Sequence, residues 1–185
     1  RRVLFRSQPD DSYQAMFHTI GSNAVVNNLT LLDPLITAKS HAATLAVNNH
    51  GTVERVVVRT SKTPVSPLNQ NPDKPAEPVV VVGEKATDYY IYGAGLVSTN
   101  GPNGTILESG IIASMDVVRN QEGRYAGLLV AENKGDVIQS FAIGSINKKA
   151  PGGSSQLLYQ GGLVGINRNV SPNGNANIID SYAIT

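Results

Sequence analysis

Gly161-Gly162-Leu163-Val164-Gly165-Ile166-Asn167 recurs along the chain in worn copies. Gly127-Leu128-Leu129-Val130-Ala131-Glu132-Asn133 and Ala94-Gly95-Leu96-Val97-Ser98-Thr99-Asn100 align with it without gaps. Ala43-Thr44-Leu45-Ala46-Val47-Asn48-Asn49 aligns more weakly. In all four a Leu precedes an Asn by four positions: Leu45 and Asn49, Leu96 and Asn100, Leu129 and Asn133, Leu163 and Asn167. Phe17 to Gly21 reads as a still weaker start in which Gly takes the place of Asn. The last two Leu-to-Leu intervals are 33 and 34 residues, and the first, 51, contains an insertion. Short units at such a period, without a helical stripe, are the mark of a solenoid, in which a unit buries its inner face only by stacking on its neighbours.

Each copy is followed by a second pattern: an aliphatic residue, then apolar or small residues three and five positions on. The instances are Val26/Leu29/Leu31, Val53/Val56/Val58, Ile106/Ser109/Ile111, Val137/Ser140/Ala142 and Ile178/Ser181/Ala183. Side chains alternate across a strand, so the last two residues of each triad share a face. The residue between them (Thr30, Val57, Gly110, Phe141 or Tyr182) points outward. The offset of three breaks the alternation and marks a corner. His50-Gly51, Lys134-Gly135 and similar pairs upstream are expected to supply positive φ at turns. A third strand is expected before each Leu, at Pro34 to Thr37, Val79 to Val82, Met115 to Val118 and Gln156 to Tyr159, for a triangular coil of three strands. The expectation is therefore an all-β, right-handed parallel β-helix of about five coils. The handedness follows the general preference of parallel crossovers.

The composition agrees. Hydrophobic residues make up 41% and charged residues 16%, too apolar for disorder and too poorly charged for helices. A net charge of +1 gives no reason to expect nucleic acid, and no apolar run reaches the length of a membrane span. The absence of Cys excludes disulfides and thiolate metal sites.

The domain reading is a single solenoid with one interruption. Residues 1–7, Arg1-Arg2-Val3-Leu4-Phe5-Arg6-Ser7, match the translation of a sequencing-adapter read-through and are expected to be foreign to the natural protein. Residues 8–60 are expected to form coils 1 and 2, and 79–185 coils 3 to 5, cut off inside a repeat. Residues 61–78 carry Pro64, Pro67, Pro72, Pro75 and Pro78, too dense for a central ladder, and are expected to leave the solenoid as a loop. Val170 to Asn175 is a smaller insertion.

Gly161 to Asn167, followed by Ile178-Ile179-Asp180-Ser181-Tyr182-Ala183, resembles the GLUG motif, roughly Gly-Gly-Leu-Val-Gly-x-Asn-x-Gly-x-Ile-x-Asn-Ser-Tyr-Ala. Ala126 to Ile143 is similar to a second, worn copy. Asn169, Asp180 and the extra Val170 to Asn175 depart from the motif and read as turn variation. Gly21 to Leu31 is also similar to the region upstream of IgA-specific metallo-endopeptidases. The resemblance implies a secreted or surface-anchored bacterial protein, adhesin-like or attached to such a protease. It implies host protein or glycan partners and further repeats of the parent chain.

The residues themselves offer little chemistry. His18, His41 and His50 form no His-Glu-x-x-His, and neither a Gly-x-Ser-x-Gly elbow nor a phosphate-binding Gly-x-x-x-x-Gly-Lys loop is present. Gly152-Gly153-Ser154-Ser155 reads as a flexible connection. Asp10, Asp11, Asp33, Glu54, Glu108, Asp116, Glu132, Asp136 and Asp180 are scattered, and no spacing selects the acid pair of a glycan-processing β-helix enzyme. The expectation is a non-enzymatic module without cofactor or metal. The structural residues are Leu45, Asn49, Leu96, Asn100, Leu129, Asn133, Gly161, Gly162, Leu163, Asn167, Ser181, Tyr182 and Ala183, with no ligand site assigned. The recurring Asn residues are expected to stack, amide on amide. Tyr89, Tyr90 and Tyr92 form an aromatic cluster, read as packing or as a surface for sugars or proteins.

Overall fold

The computed structural model describes residues 12–61, 79–83, 91–118, 124–149, 158–169 and 176–185. The Pro-rich stretch past Ser61, the Val170 to Asn175 insertion, Tyr89, Tyr90, Asp10, Asp11, the N-terminal heptad and Gly152 to Ser155 lie outside them. The described residues form strands without helices, in a parallel β-helix of four sheets. Sheet one stacks Tyr13–Gln14, His41–Ala42, Ile91–Ala94, Arg124–Gly127 and Leu158–Gly161. Sheet two stacks Phe17–Ile20, Ala46–Asn49, Val97–Asn100, Val130–Asn133 and Val164–Asn167.

Sheet three begins with two long bent strands, Val25–Leu32 and Thr52–Arg59. In later coils each divides into two short ones: Thr105–Leu107 and Gly110–Ile112, Asp136–Ile138 and Phe141–Ile143, Asn177–Ile179 and Tyr182–Ile184. Sheet four holds Ile36–Ala38, Val80–Val82, Met115–Val118 and Ile146–Lys149. The chain visits the four sheets in this order in each of the first four coils, and the first three of them in the fifth.

The five triads stack as expected. Val26, Val53, Ile106, Val137 and Ile178 are register partners from coil to coil. So are Leu31, Val58, Ile111, Ala142 and Ala183. The members from Val53 to Ala142 are buried, whereas Ile178 and Ala183 lie in the outermost described coil and are exposed.

The corner is built by left-handed residues at one position of every coil. Asn28, Arg55, Glu108, Gln139 and Asp180 have φ of 54, 51, 47, 48 and 48°. Such a residue turns the strand without an insertion, at about 1–2 kcal/mol for anything but Gly or Asn. It also interrupts the ladder, and serine repairs it. The Val56, Ser109 and Ser140 amides donate to the hydroxyls of Ser109, Ser140 and Ser181 one coil on, at 3.0, 3.2 and 3.0 Å. Each hydroxyl donates to the carbonyl two residues back, at 2.8 Å. Gln139→Val should therefore lower stability by about 1–2 kcal/mol, and Gln139→Asn should hold or raise it, measured by urea unfolding.

Four expectations are corrected. A coil has four strand segments, or five where the corner divides the sheet-three strand, not three. A three-residue strand is too short for alternation to reveal, and the corner hides one boundary. Gln156 to Tyr159 does not continue the row of Met115 to Val118: that partner is Ile146–Lys149, while Leu158–Gly161 pairs with Arg124–Gly127 in sheet one. Phe17 pairs with Ala46 and Ile20 with Asn49, so Ile20, not Gly21, stands at the Asn position. Positive φ falls on the polar corner residues and not on Gly51 or Gly135.

Those glycines serve close stacking. A Cβ on Gly135 would overlap the carbonyl oxygens of Gly104 and Gly101 in the coil beneath. A Cβ on Gly127 or Gly161 would overlap the Val130 or Val164 carbonyl, where the chain turns from sheet one to sheet two. Volume is also exchanged across the core. Gly95 makes room for Ile111, whose Cδ1 an added methyl would strike, and one coil on Leu128 and Ala142 occupy the equivalent places.

Candidate functional site: ladders inside and outside the coil

The recurring Asn residues form one continuous ladder, buried from Asn49 to Asn133. Asn49 Nδ2 donates to Asn100 Oδ1 at 2.8 Å, Asn100 to Asn133 at 2.8 Å and Asn133 to Asn167 at 2.7 Å. The same amides bind the turn. Asn100 donates to the Gly104 carbonyl at 3.1 Å, Asn133 to that of Gly135 at 2.9 Å, and Gly51 N–H donates to Asn49 Oδ1 at 3.2 Å. Asn49, Asn100 and Asn133 are fully buried, and their hydrogen bonds run to each other and to the turn backbone.

The outer face carries a second ladder, of aromatic rings. Tyr13, His41, Tyr92, Tyr125 and Tyr159 are successive register partners in sheet one. Their centroids are 4.6, 4.6, 5.1 and 5.4 Å apart, with interplanar angles of 26, 18, 38 and 21°. The spacing is that of the coils, because parallel register returns the same strand position to each level. Small buried residues, Ala43, Ala94 and Ala131, form the floor beneath Tyr92 and Tyr125. Tyr13 and Tyr159, at the two ends, are 50% and 48% exposed, and the inner rings are half-buried. The rings face one another, so the ladder presents edges along most of its length.

A charged cluster flanks it. Glu132, 3% exposed, pairs with Lys134 at 2.8 Å and with Arg168, whose guanidinium lies 5.8 Å from the Tyr125 centroid. Burial lowers the Arg168 pKa. The hydrogen bond and charge of Glu132, with Tyr125 and Tyr92, outweigh that and hold it above its ordinary value. Removing both cations should strand a buried carboxylate. Lys134→Ala with Arg168→Ala should cost about 2–4 kcal/mol in chemical denaturation, the partial exposure of both cations keeping it below the fully buried case.

No protein-family model, curated protein or solved structure matches the chain.

The structure disperses the scattered carboxylates. Asp116 lies in sheet four, bonded by Asn147 at 3.0 Å, and Asp136 in sheet three, bonded by Asn177 at 2.8 Å. Asp33 caps Ser61, and Glu54 and Glu108 converge on exposed Arg55. Among the described residues no three of His, Asp and Glu converge as a metal site, and no helix is long and apolar enough to cross a membrane. Leu45, Leu96 and Leu129 are fully buried and Leu163 is half-buried. A Cβ on Gly162 would press on Thr185 and Ala183. Tyr182 is 54% exposed and stacks on Phe141 at 5.9 Å.

Sequence reading missed the aromatic ladder. It grouped Tyr92 with its chain neighbours Tyr89 and Tyr90, and passed over His41 as a lone histidine. The signal was an aromatic four residues before each Leu anchor: His41, Tyr92, Tyr125 and Tyr159.

Proposed function

We propose that the chain is a non-catalytic β-solenoid module of a bacterial secreted or cell-surface protein, of the GLUG-repeat kind, acting as an adhesin-like binding element or spacer. The observation that supports this is the outer aromatic ladder, which spans all five coils on a scaffold whose inner polar groups are taken up by the Asn and Ser ladders. Stacking covers the ring faces that a sugar would need, and leaves edges, with Arg168 beside them. That favours a protein partner over a glycan.

The test is retention of extracellular glycoproteins and polysaccharides on the immobilised chain, followed by interferometry. Retention of a protein ligand, reduced about tenfold or more by Tyr92→Ser with Tyr125→Ser, is the expected result. Turnover of a polysaccharide by the chain would overturn the non-catalytic reading. Binding unaffected by the Tyr substitutions would overturn the role of the ladder.

A further inference from the structure

Tyr92, Tyr125 and Tyr159 hold one position of three successive coils, kept level by the parallel pairing of sheet one. Their ring centroids are 5.1 and 5.4 Å apart, with interplanar angles of 38 and 21°. Among the described residues no other two phenols are stacked neighbours. Tyr13 is parted from Tyr92 by His41, which stacks on both at 4.6 Å. Tyr182 stacks on Phe141, which has no hydroxyl. The chain contains neither Cys nor Trp, so phenols are the side chains that a one-electron oxidant attacks most readily.

We propose that this row is an oxidative cross-linking site. A one-electron oxidant of the haem peroxidase class, working with hydrogen peroxide, joins Tyr125 to Tyr92 or to Tyr159 and so staples consecutive coils covalently. The site rests on the register of sheet one and does not depend on what the ladder binds. Each phenol gives one electron to the haem and its hydroxyl proton to water, leaving a phenoxyl radical with spin at the ortho carbons. Two such radicals form one carbon–carbon bond between ortho carbons. Each ring then regains aromaticity as its ortho hydrogen leaves carbon and the phenolic oxygen takes up a proton. The pair loses two electrons and two protons in all, which reduce one hydrogen peroxide to two waters. The backbone already sets the partners one strand spacing apart, so coupling asks only that the side chains rotate from stacked toward edge-on. Proximity selects these pairs, because register neighbours meet at an effective concentration far above that of a second molecule. Tyr125 belongs to both pairs and is the partner that neither bond can do without.

The test treats the dilute, folded full chain with a haem peroxidase and limiting hydrogen peroxide. Dityrosine fluorescence and mass spectrometry of proteolytic fragments are the readouts. The expected product is a monomer that has lost two hydrogen atoms, with fragments joined through Tyr92 and Tyr125 or through Tyr125 and Tyr159. These residues are 33 and 34 positions apart, and closing such a loop should raise the thermal midpoint by about 5 °C or more. Tyr125→Phe keeps the stacked ring and removes the phenol. It should lower dityrosine in the monomer about tenfold, whereas Tyr13→Phe and Tyr182→Phe should leave it unchanged. Oxidation in concentrated urea should lose the preference for these pairs, since it depends on the folded register. Several results would overturn the proposal: no cross-linked monomer, cross-links chiefly between molecules or through other tyrosines, undiminished dityrosine in Tyr125→Phe, or the same preference in urea. A cross-linked monomer that melts no higher than the untreated chain would overturn the stapling.

Discussion

Gly135→Ala is expected to unfold the middle of the solenoid, lowering stability by about 4 kcal/mol or more. The added Cβ would overlap two backbone oxygens, Gly104 O and Gly101 O, and backbone cannot swing aside as a side-chain end does. Relief requires coils 3 and 4 to separate. That would break the Asp136 to Gly104 amide bond at 2.9 Å and the Asn100 to Asn133 rung at 2.8 Å. Ordinary overpacking costs about 1–3 kcal/mol, and this site lies above that range because the obstacle is main chain at an interface that repeats. Gly21→Ala is the control. Nothing lies within 4 Å of its Cβ, and it should change stability by less than about 0.5 kcal/mol. Thermal and urea unfolding followed by far-ultraviolet circular dichroism would decide it. Equal midpoints for the two variants would refute the close-stacking account of these glycines.

Asn100→Ala should cost about 3–5 kcal/mol, more than any exposed substitution in the chain. Its side chain receives the Asn49 amide and donates to Asn133, Gly104 and the Asp136 carbonyl, all in the fully buried ladder. The two amide hydrogens and the one accepted bond are worth about 1 kcal/mol each, and the Asn49 amide and Asn133 oxygen, left with only long bonds to the Thr105 carbonyl and the Gly135 N–H at 3.4 Å, add about 1–2 kcal/mol together. Asn167→Ala removes the last rung, which is exposed, and should cost under about 1 kcal/mol. The contrast is the informative measurement. Comparable losses at the two positions in urea unfolding would mean that the ladder carries little energy and that Asn serves only the local turn.

Both variants were legible as positions before the structure was known, and for a physical reason. An Asn or Gly required at one level of a parallel coil is required at the next, so structural need appears as recurrence. The inward triads were legible for the same reason, combined with strand alternation: Val53, Ile106 and Val137 had to share a column once one of them pointed inward. Recurrence did not locate the strand boundaries, since segments as short as Gly110–Ile112 carry too few residues for a period to show. It did not place Ile20 opposite Asn49, because coil 1 shortens the turn between sheets one and two by a residue and shifts the apparent motif.

The site was less legible than the fold. His41 and Tyr92 are 51 positions apart and of different chemical type, yet they stack at 4.6 Å. Glu132 looked like one more surface carboxylate among several. Its burial with Lys134 and Arg168 depends on where the fifth coil sets Arg168, beyond Asn167 and the end of the strand.

By itself the amino-acid order determined that this chain stacks: the repeat of Leu and Asn, the triads and the corner were written in residue type and spacing, because each unit must satisfy its neighbour's hydrogen bonds and bury its neighbour's aliphatics. Only the tertiary structure decided what the outside of the stack displays. Outer residues meet across coils through register, at distances of about one strand spacing, and their sequence separations vary with every insertion between them.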